Sequence, residues 1–311
     1  MRFRPSARQL EYLVALADLR HFGRAAKRCA VSQPTLSVQL RQIEERLGTS
    51  LFERDSAPVT LTPAGERTVA LARDILAALD AMAAAASGGE ANLGGRLRLG
   101  AAPTFGPYFL PRLLPVLHGR YPSLEIFIRE EQPALLEEAI AEGETDCAIG
   151  PDPHQGDRLT FVRLMEEELF LGLPADHRLA SMSAIPVSEL SGERMMTLGR
   201  GHCLNENVRA LALEAGAALR EDYEGTSLDA LRQMVSIGMG LTLFPAHYAA
   251  SEFGREDAVV LRPLAGRRPV RTIGLFWRRG SVRDGHFRAL ASICMEVVSA
   301  NTAGQPRKDG A

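Results

Sequence analysis

Cys203 is the residue in this chain whose setting points to chemistry. It follows Arg200, Gly201 and His202 and opens a helix-like run from Leu204 to Ala215, whereas Cys29, Cys147 and Cys294 lie in apolar stretches where a cysteine packs as a small hydrophobe. The reactive form of a thiol is the thiolate, which a helix N-terminus or a cationic neighbour favours. His202, Arg200 or Arg271 would supply the cation. A thiol so placed reacts with peroxide to give a sulfenic acid. The plainer alternative is an inert cysteine that closes a turn. The four cysteines form no CxxC pair and no zinc spacing, so neither a metal nor another cofactor is expected.

Positioning that thiol falls to a body, residues 96–300, in which strand-like and helix-like runs alternate. Strands are expected at Arg96–Ala101, Leu124–Arg129, Asp146–Gly150, Glu168–Leu173, Met195–Leu198, Glu224–Thr226, Leu241–Pro245 and Arg271–Trp277. Helices are expected at Pro111–Arg120, Leu135–Glu142, Leu204–Ala215, Leu228–Ile237 and Phe287–Val298. The alternation predicts an α/β fold with largely parallel sheets. In such folds ligands bind beyond the C-terminal ends of strands. That rule selects Thr104, Asp146, the His202-Cys203 segment and Thr226-Ser227. Thr104 either caps the following helix or contacts a ligand, Asp146 is a turn residue or a ligand contact, and Ser227 reads as an N-cap.

The net charge of −2 divides unevenly: residues 1–60 hold ten Lys/Arg and six Asp/Glu, leaving 26 basic and 32 acidic groups in the rest. A basic N-terminal module on an acidic body suggests a nucleic-acid partner for the first part only. Three short helices fit residues 6–47. The third starts at the N-cap Ser32, tolerates Pro34 early, and ends at Gly48. Helix, tight turn and helix make a helix-turn-helix, whose second helix would offer Ser32, Gln33, Pro34, Thr35 and Ser37, with Arg41 a turn later, to the major groove of double-stranded DNA. Leu51–Arg54 and Val59–Thr62 read as the hairpin of a wing, with Arg54 free for a phosphate. A long Ala/Leu-rich helix follows from Pro63. Its apolar stripe, Val69, Ala72, Leu76, Leu79 and Met82, is expected to pair with a second copy or pack on the chain's own body. Gly88-Gly89 and Gly94-Gly95 then bracket a hinge.

FGRAAKRCAVSQPTLSVQLRQIEERLGTSLFER followed by LTPAGE closely resembles the DNA-binding region of LysR-type transcriptional regulators. The resemblance implies a winged helix-turn-helix (5–62), a dimerisation helix (63–90), and a regulatory domain (95–300) like a periplasmic binding protein. That domain would have subdomain I at about 95–165 and 271–300 and subdomain II at about 166–270, with a disordered tail at 301–311. It also implies a transcriptional activator rather than an enzyme: a homodimer or homotetramer on promoter DNA, with RNA polymerase as a candidate partner.

GHCL, APTFGPYFLP, GTSLDALRQMVSIGMGLTLFP and VRTIGLFWR further resemble the hydrogen-peroxide-sensing members of the group, which control oxidative-stress genes. The resemblance makes Cys203 the peroxidatic residue and His202 its neighbour. Thr104 would orient peroxide, and Asp146, Arg271 and Thr226 would surround the thiol. Three positions depart from it. Ala212 stands where a resolving cysteine is found, Pro133 replaces a pocket threonine, and Asn205 replaces a basic residue. Nine helical residues span ~13.5 Å, beyond the roughly 7 Å Cα limit of a disulfide, so a partner there demands helix rearrangement. Without it three outcomes stand: a one-cysteine sensor, pairing with Cys147 or Cys294, or response to a small organic ligand in the cleft. No stretch suits a membrane span or a signal peptide, and a cytoplasmic protein is expected.

Overall fold

The computed structural model describes residues 3–53, 58–86, 93, 95–154, 156–220, 222–225, 227–255 and 258–304. Three helices, α1 (Ala7–Leu19), α2 (Phe22–Arg28) and α3 (Gln33–Leu47), close around one small core. Leu13, Leu16, Leu36, Leu40 and Ile43 are wholly buried in it. The turn into α3 passes through Ala30 at φ 53°. The Ser32 hydroxyl then accepts the Thr35 N–H at 3.2 Å and caps the helix. β1 (Phe52–Glu53) and β2 (Thr60–Leu61) form the antiparallel wing. Buried Glu44 of α3 accepts the Leu51 and Phe52 N–H groups and fastens the wing to that helix. Arg54 lies outside the described residues.

In α4 (Pro63–Ala86) the expected stripe divides. Val69 and Ala72 are buried, Ala72 within the core of the N-terminal module, and Leu76 packs against that core. The face left open is Leu71, Ile75, Leu79 and Met82. A helix of 3.6 residues per turn carries two apolar rows here, one for the module and one exposed. Arg73 ties α4 to α1 through Asp18 at 2.5 Å and to the body through the Glu142 carbonyl at 2.9 Å. The expected hinge at 88–89 and 94 lies outside the described residues.

The body continues with β3 (Gly95–Ala101), α5 (Gly106–Arg120), β4 (Leu124–Glu130), α6 (Pro133–Ala141) and β5 (Cys147–Pro151). Then comes one strand of 16 residues, β6 (Leu159–Pro174). β7 (Arg194–Met195), α7 (Cys203–Ala215), β8 (Ala218–Leu219), α8 (Leu228–Ser236), β9 (Thr242–Pro245), α9 (Ala246–Glu252) and β10 (Val259–Arg262) follow. β11 (Val270–Arg278) and α10 (Asp284–Gly304) complete the fold.

The sheet order is β10-β6-β11-β5-β3-β4, with β9 also on β6. Within this sheet β3 pairs in parallel with β4 and β5, whereas every pair involving β6 or β11 is antiparallel; outside it β7 and β8 pair in parallel. This corrects the expectation of largely parallel sheets. The expected subdomain boundaries, 165/166 and 271, fall inside β6 and β11, which pair from Leu159 and Arg278 to Glu168 and Val270; beyond that point β6 alone continues into the second half, paired with β9 and β10. One core holds Leu99, Phe109, Leu275 and Trp277; the other holds Leu171, Leu198, Val208 and Leu243. A bulge breaks the β6–β11 register between Ile273 and Gly274. A Cβ at Gly274 would stand 2.3 Å from the Phe161 ring, so only glycine fits. At the C-terminus α10 is helical to Gly304, into the stretch expected to be disordered, and 305–311 lie outside the described residues.

Candidate functional site

Cys203 is the first residue of α7, and its backbone neighbour His202 is the N-cap. The His202 side chain makes no capping hydrogen bond, so the helix's first N–H groups keep their partial positive charge uncommitted by a side chain. The turn is built tightly. Gly201 sits at φ +93°, and a Cβ there would meet Gln132 Oε1 at 2.7 Å. Gly199 donates to the Gly225 carbonyl, and Arg200 N–H to Glu224. Cys203 lines a cavity of about 570 Å³ with Pro133, Asp152, His154, Arg209 and Arg271.

The expected thiolate setting is corrected in its balance. Burial pushes the Cys203 thiol up; Arg271 pulls it down, while Glu206 and Asp152 add to the rise. The net direction is upward, toward a protonated thiol, whose S–H donates to Asn207 Oδ1 at 3.7 Å. Burial, with Arg271 nearby, also lowers His202, so its imidazole is neutral near pH 7 and does not supply the cation. Arg271 does.

Arg271 is itself buried within a network. Its Nε donates to Glu167 Oε2 at 2.7 Å, its Nη1 to the Thr104 hydroxyl at 2.7 Å and its Nη2 to the Thr104 carbonyl at 2.9 Å. Glu167 Oε1 accepts the His247 N–H at 2.9 Å and lies 2.9 Å from His247 Nδ1. Burial pushes the Glu167 carboxyl up, but Arg271 and His247 more than offset it and leave it below its ordinary value. Neither Glu167 nor His247 was singled out in the sequence. The only available signal was a charged Glu166-Glu167-Glu168 run inside what proves to be a continuous strand.

The expected ring of residues around the thiol is assembled only in part. Thr104 reaches it through Arg271; it does not cap α5, whose N-cap is Phe105. Asp146 is at the other end of β5. It binds Arg98 at 2.6 Å and lies 3.3 Å from Arg283, whereas Pro151 and Asp152, at the strand's C-terminal end, line the cavity. The strand runs opposite to the sense in which Asp146 would face Cys203. Thr226 lies outside the described residues. Cys147 and Cys294 are fully buried together in the other core, with burial pushing Cys147 well up and Cys294 up to about 12.

At the opposite end of the chain, Gln33, Pro34, Thr35 and Arg41 are exposed along one end and flank of α3, with Ser32 at the cap and Ser37 half-buried. Such a face can enter a major groove. The bacterial regulatory helix-turn-helix family called lysR matches residues 7–66, and the LysR substrate binding domain matches residues 90–299. The chain belongs to the LysR family.

Within the LysR family it is 40% identical over 297 residues to the DNA-binding transcriptional dual regulator OxyR of Escherichia coli, covering 96% of each chain. It is 37% identical to the hydrogen peroxide-inducible genes activator of Haemophilus influenzae, covering 94% of this chain and 97% of that one. Full-length OxyR from Pseudomonas aeruginosa, solved as a Cys-to-Asp variant, superposes with a TM-score of 0.79 at 32% identity, covering 94% of this chain and 98% of that one.

The three departures now have structural descriptions in this LysR-family chain. Pro133 is the buried first residue of α6 and adds an apolar wall to the cavity. Asn205 is buried, donates to the Leu198 carbonyl at 2.6 Å and accepts from Arg209 at 2.8 Å, so it clamps α7 to the preceding strand end. Ala212 is buried against the subdomain II core. Among the described residues no group of three or more His, Cys, Asp and Glu is placed to hold a metal, and no helix is long and apolar enough to cross a membrane.

Proposed function

We propose that this LysR-family DNA-binding regulator is an OxyR-like hydrogen-peroxide sensor that works through Cys203 alone and controls oxidative-stress genes. The Cys203 sulfur attacks one oxygen of hydrogen peroxide; the S–O bond forms as the O–O bond breaks. The other oxygen leaves as hydroxide and takes up the thiol proton as water, giving a sulfenic acid. Sulfur loses two electrons and peroxide gains them. A small cellular thiol then condenses with the sulfenic acid, releasing water and forming a mixed disulfide that a second thiol reduces.

The observation that carries this reading is Cys203 at the uncapped start of α7, in an open cavity walled by Arg271, with no other cysteine lining that cavity. His202 and Thr104 act beside it: His202 as a neutral hydrogen-bonding group, Thr104 through the hydroxyl that Arg271 orients. Gln33, Thr35, Ser37 and Arg41 read the operator, together with Ser32 and Pro34 at the helix start. A second copy covers Leu71, Ile75, Leu79 and Met82, so a pseudo-palindromic site is read by a dimer or tetramer. A second reading, a small organic ligand as the signal, is favoured by the cavity itself. About 570 Å³ is the size of a small-molecule pocket, far more than peroxide needs.

One titration separates the two. Full-length protein is treated with near-stoichiometric peroxide and a sulfenic-acid trap, then peptide-mapped by mass. The expected result is one added label at Cys203 and altered operator binding. An unlabelled Cys203 together with thermal stabilisation by small organic anions would overturn peroxide sensing and select the second reading.

A further inference from the structure

Cys203 does not face Arg271 as a free charge. Arg271 stands directly across the ladder from Glu167, and the two are 3% and 0% exposed. The recorded contacts of the guanidinium run to Glu167 and to Thr104, which are not among the residues lining the cavity. Glu167 in turn is held from behind by two groups of His247, the first turn of α9. β3–α5, β6, β11 and α9 therefore meet at a single guanidinium.

The fork of an arginine is planar and binds a carboxylate with defined geometry. A buried carboxylate with no water to share it fixes that fork strongly. We propose that Glu167 is a positioning residue for the Cys203 reaction: it holds Arg271 at the back of the cavity and so restrains how readily the thiol reacts. The proposal rests on Cys203 being the reacting group, as proposed above.

The sign follows from where the charges lie. The thiolate is the nucleophile, and a cation favours it. Arg271 borders the cavity, whereas Glu167 lies behind it and does not. Removing the carboxylate charge loosens the Nε end of the guanidinium, leaves its Nη groups on Thr104, and frees its positive charge from the opposing carboxylate to act on the sulfur. The other charged or titratable groups facing Cys203 stay in place. These are Glu206 and Arg209 on α7, Asp152 and His154 beyond β5, and Arg200 and His202 in the turn.

Alkylation of Cys203 by iodoacetamide, followed by peptide mass across pH in the full-length protein, reads thiolate formation without any need for peroxide. Glu167→Gln is expected to move the midpoint of the rate profile down by about one pH unit, a roughly tenfold faster reaction at pH values below the midpoint. Arg271→Gln is expected to move it up, and Glu167→Gln added to Arg271→Gln to move it no further. A role in folding alone would lower the unfolding midpoint and leave the alkylation profile where it was, which overturns the proposal.

If Glu167→Gln does not fold, the double variant, which leaves neither of these two charges buried alone, still decides. Its midpoint must lie above that of the unaltered protein, because the nearer of the two charges is the cation; a midpoint at or below it overturns the proposal. The expected shifts of the alkylation profiles together with a Cys203 that peroxide leaves untouched would sink the sensing reading and leave the positioning role standing.

Discussion

Two helix starts, those of α3 and α7, are finished in opposite ways. α3 opens with Ser32, whose hydroxyl takes up the Thr35 N–H, and its next three residues are exposed. α7 opens with His202, whose side chain caps nothing and which is buried, and with Cys203, which is half-buried in a cavity. A helix end that must meet an outside partner in one geometry gains from being satisfied internally, because its side chains are then fixed before contact. A helix end that must stabilise a charge appearing on sulfur gains from N–H groups left uncommitted. The same local element thus suits recognition when it is capped and reactivity when it is not.

The largest expected effect tests what stands behind the uncapped end. Arg271→Ala leaves Glu167 buried without its main partner and should cost about 3–5 kcal/mol in urea unfolding. It should also change the acid limb. The Glu167 carboxyl is held below its ordinary value when folded, so the pair stabilises the fold above the unfolded value of about pH 4.3. That contribution is lost as pH falls through the lower folded value. In Arg271→Ala this acid-side loss should shrink or reverse, because burial without the cation favours the protonated carboxyl; an unchanged acid limb would show that the pair is not what supports the cavity.

At the capped end the expectations are smaller and confined to DNA. Gln33→Ala should weaken binding to a matched operator by roughly 1–3 kcal/mol, with thermal stability unchanged. Loss of folding instead would mean that α3 is a core helix with no free reading face. Smallest is the cap itself. Ser32→Ala should lower stability by about 1 kcal/mol, while His202→Ala removes no cap and should show no capping loss in the same thermal melt. Equal losses attributable to capping at the two ends would break the contrast.

The N-terminal module was legible because its signals are local. Ser32, Pro34 and Gly48 mark α3 within its own sequence, and the apolar spacing fixes its inner face. Cys203 was legible for the same reason: its turn and helix adjoin it. What surrounds the thiol was not. Glu167 sits in a run of three glutamates that looks solvated, and only Arg271, 104 residues away, makes it a core residue. Asp146 was assigned to the thiol because strand direction is a tertiary fact; β5 points its other end at the cavity. Ala72 and Leu76 fit a heptad, yet they pack on the neighbouring module, because one helix can present two apolar rows.

The pairing of β6 with β11 across the junction of the two halves has a mechanical meaning. Two loop crossovers would let the lobes swing as on a pin. Two laddered strands make a leaf spring instead, thinned at the Ile273/Gly274 bulge, where the regular pairing lapses. Splaying the lobes bends that spring against its own hydrogen bonds. One leaf, β11, begins beside the sulfur at Arg271 and ends at Arg278, which pairs with Asp74 of α4. At ~3.3 Å per residue those two arginines stand roughly 23 Å apart on it, so one continuous strand joins the wall of the thiol's cavity to a contact with the helix that follows the DNA-binding module.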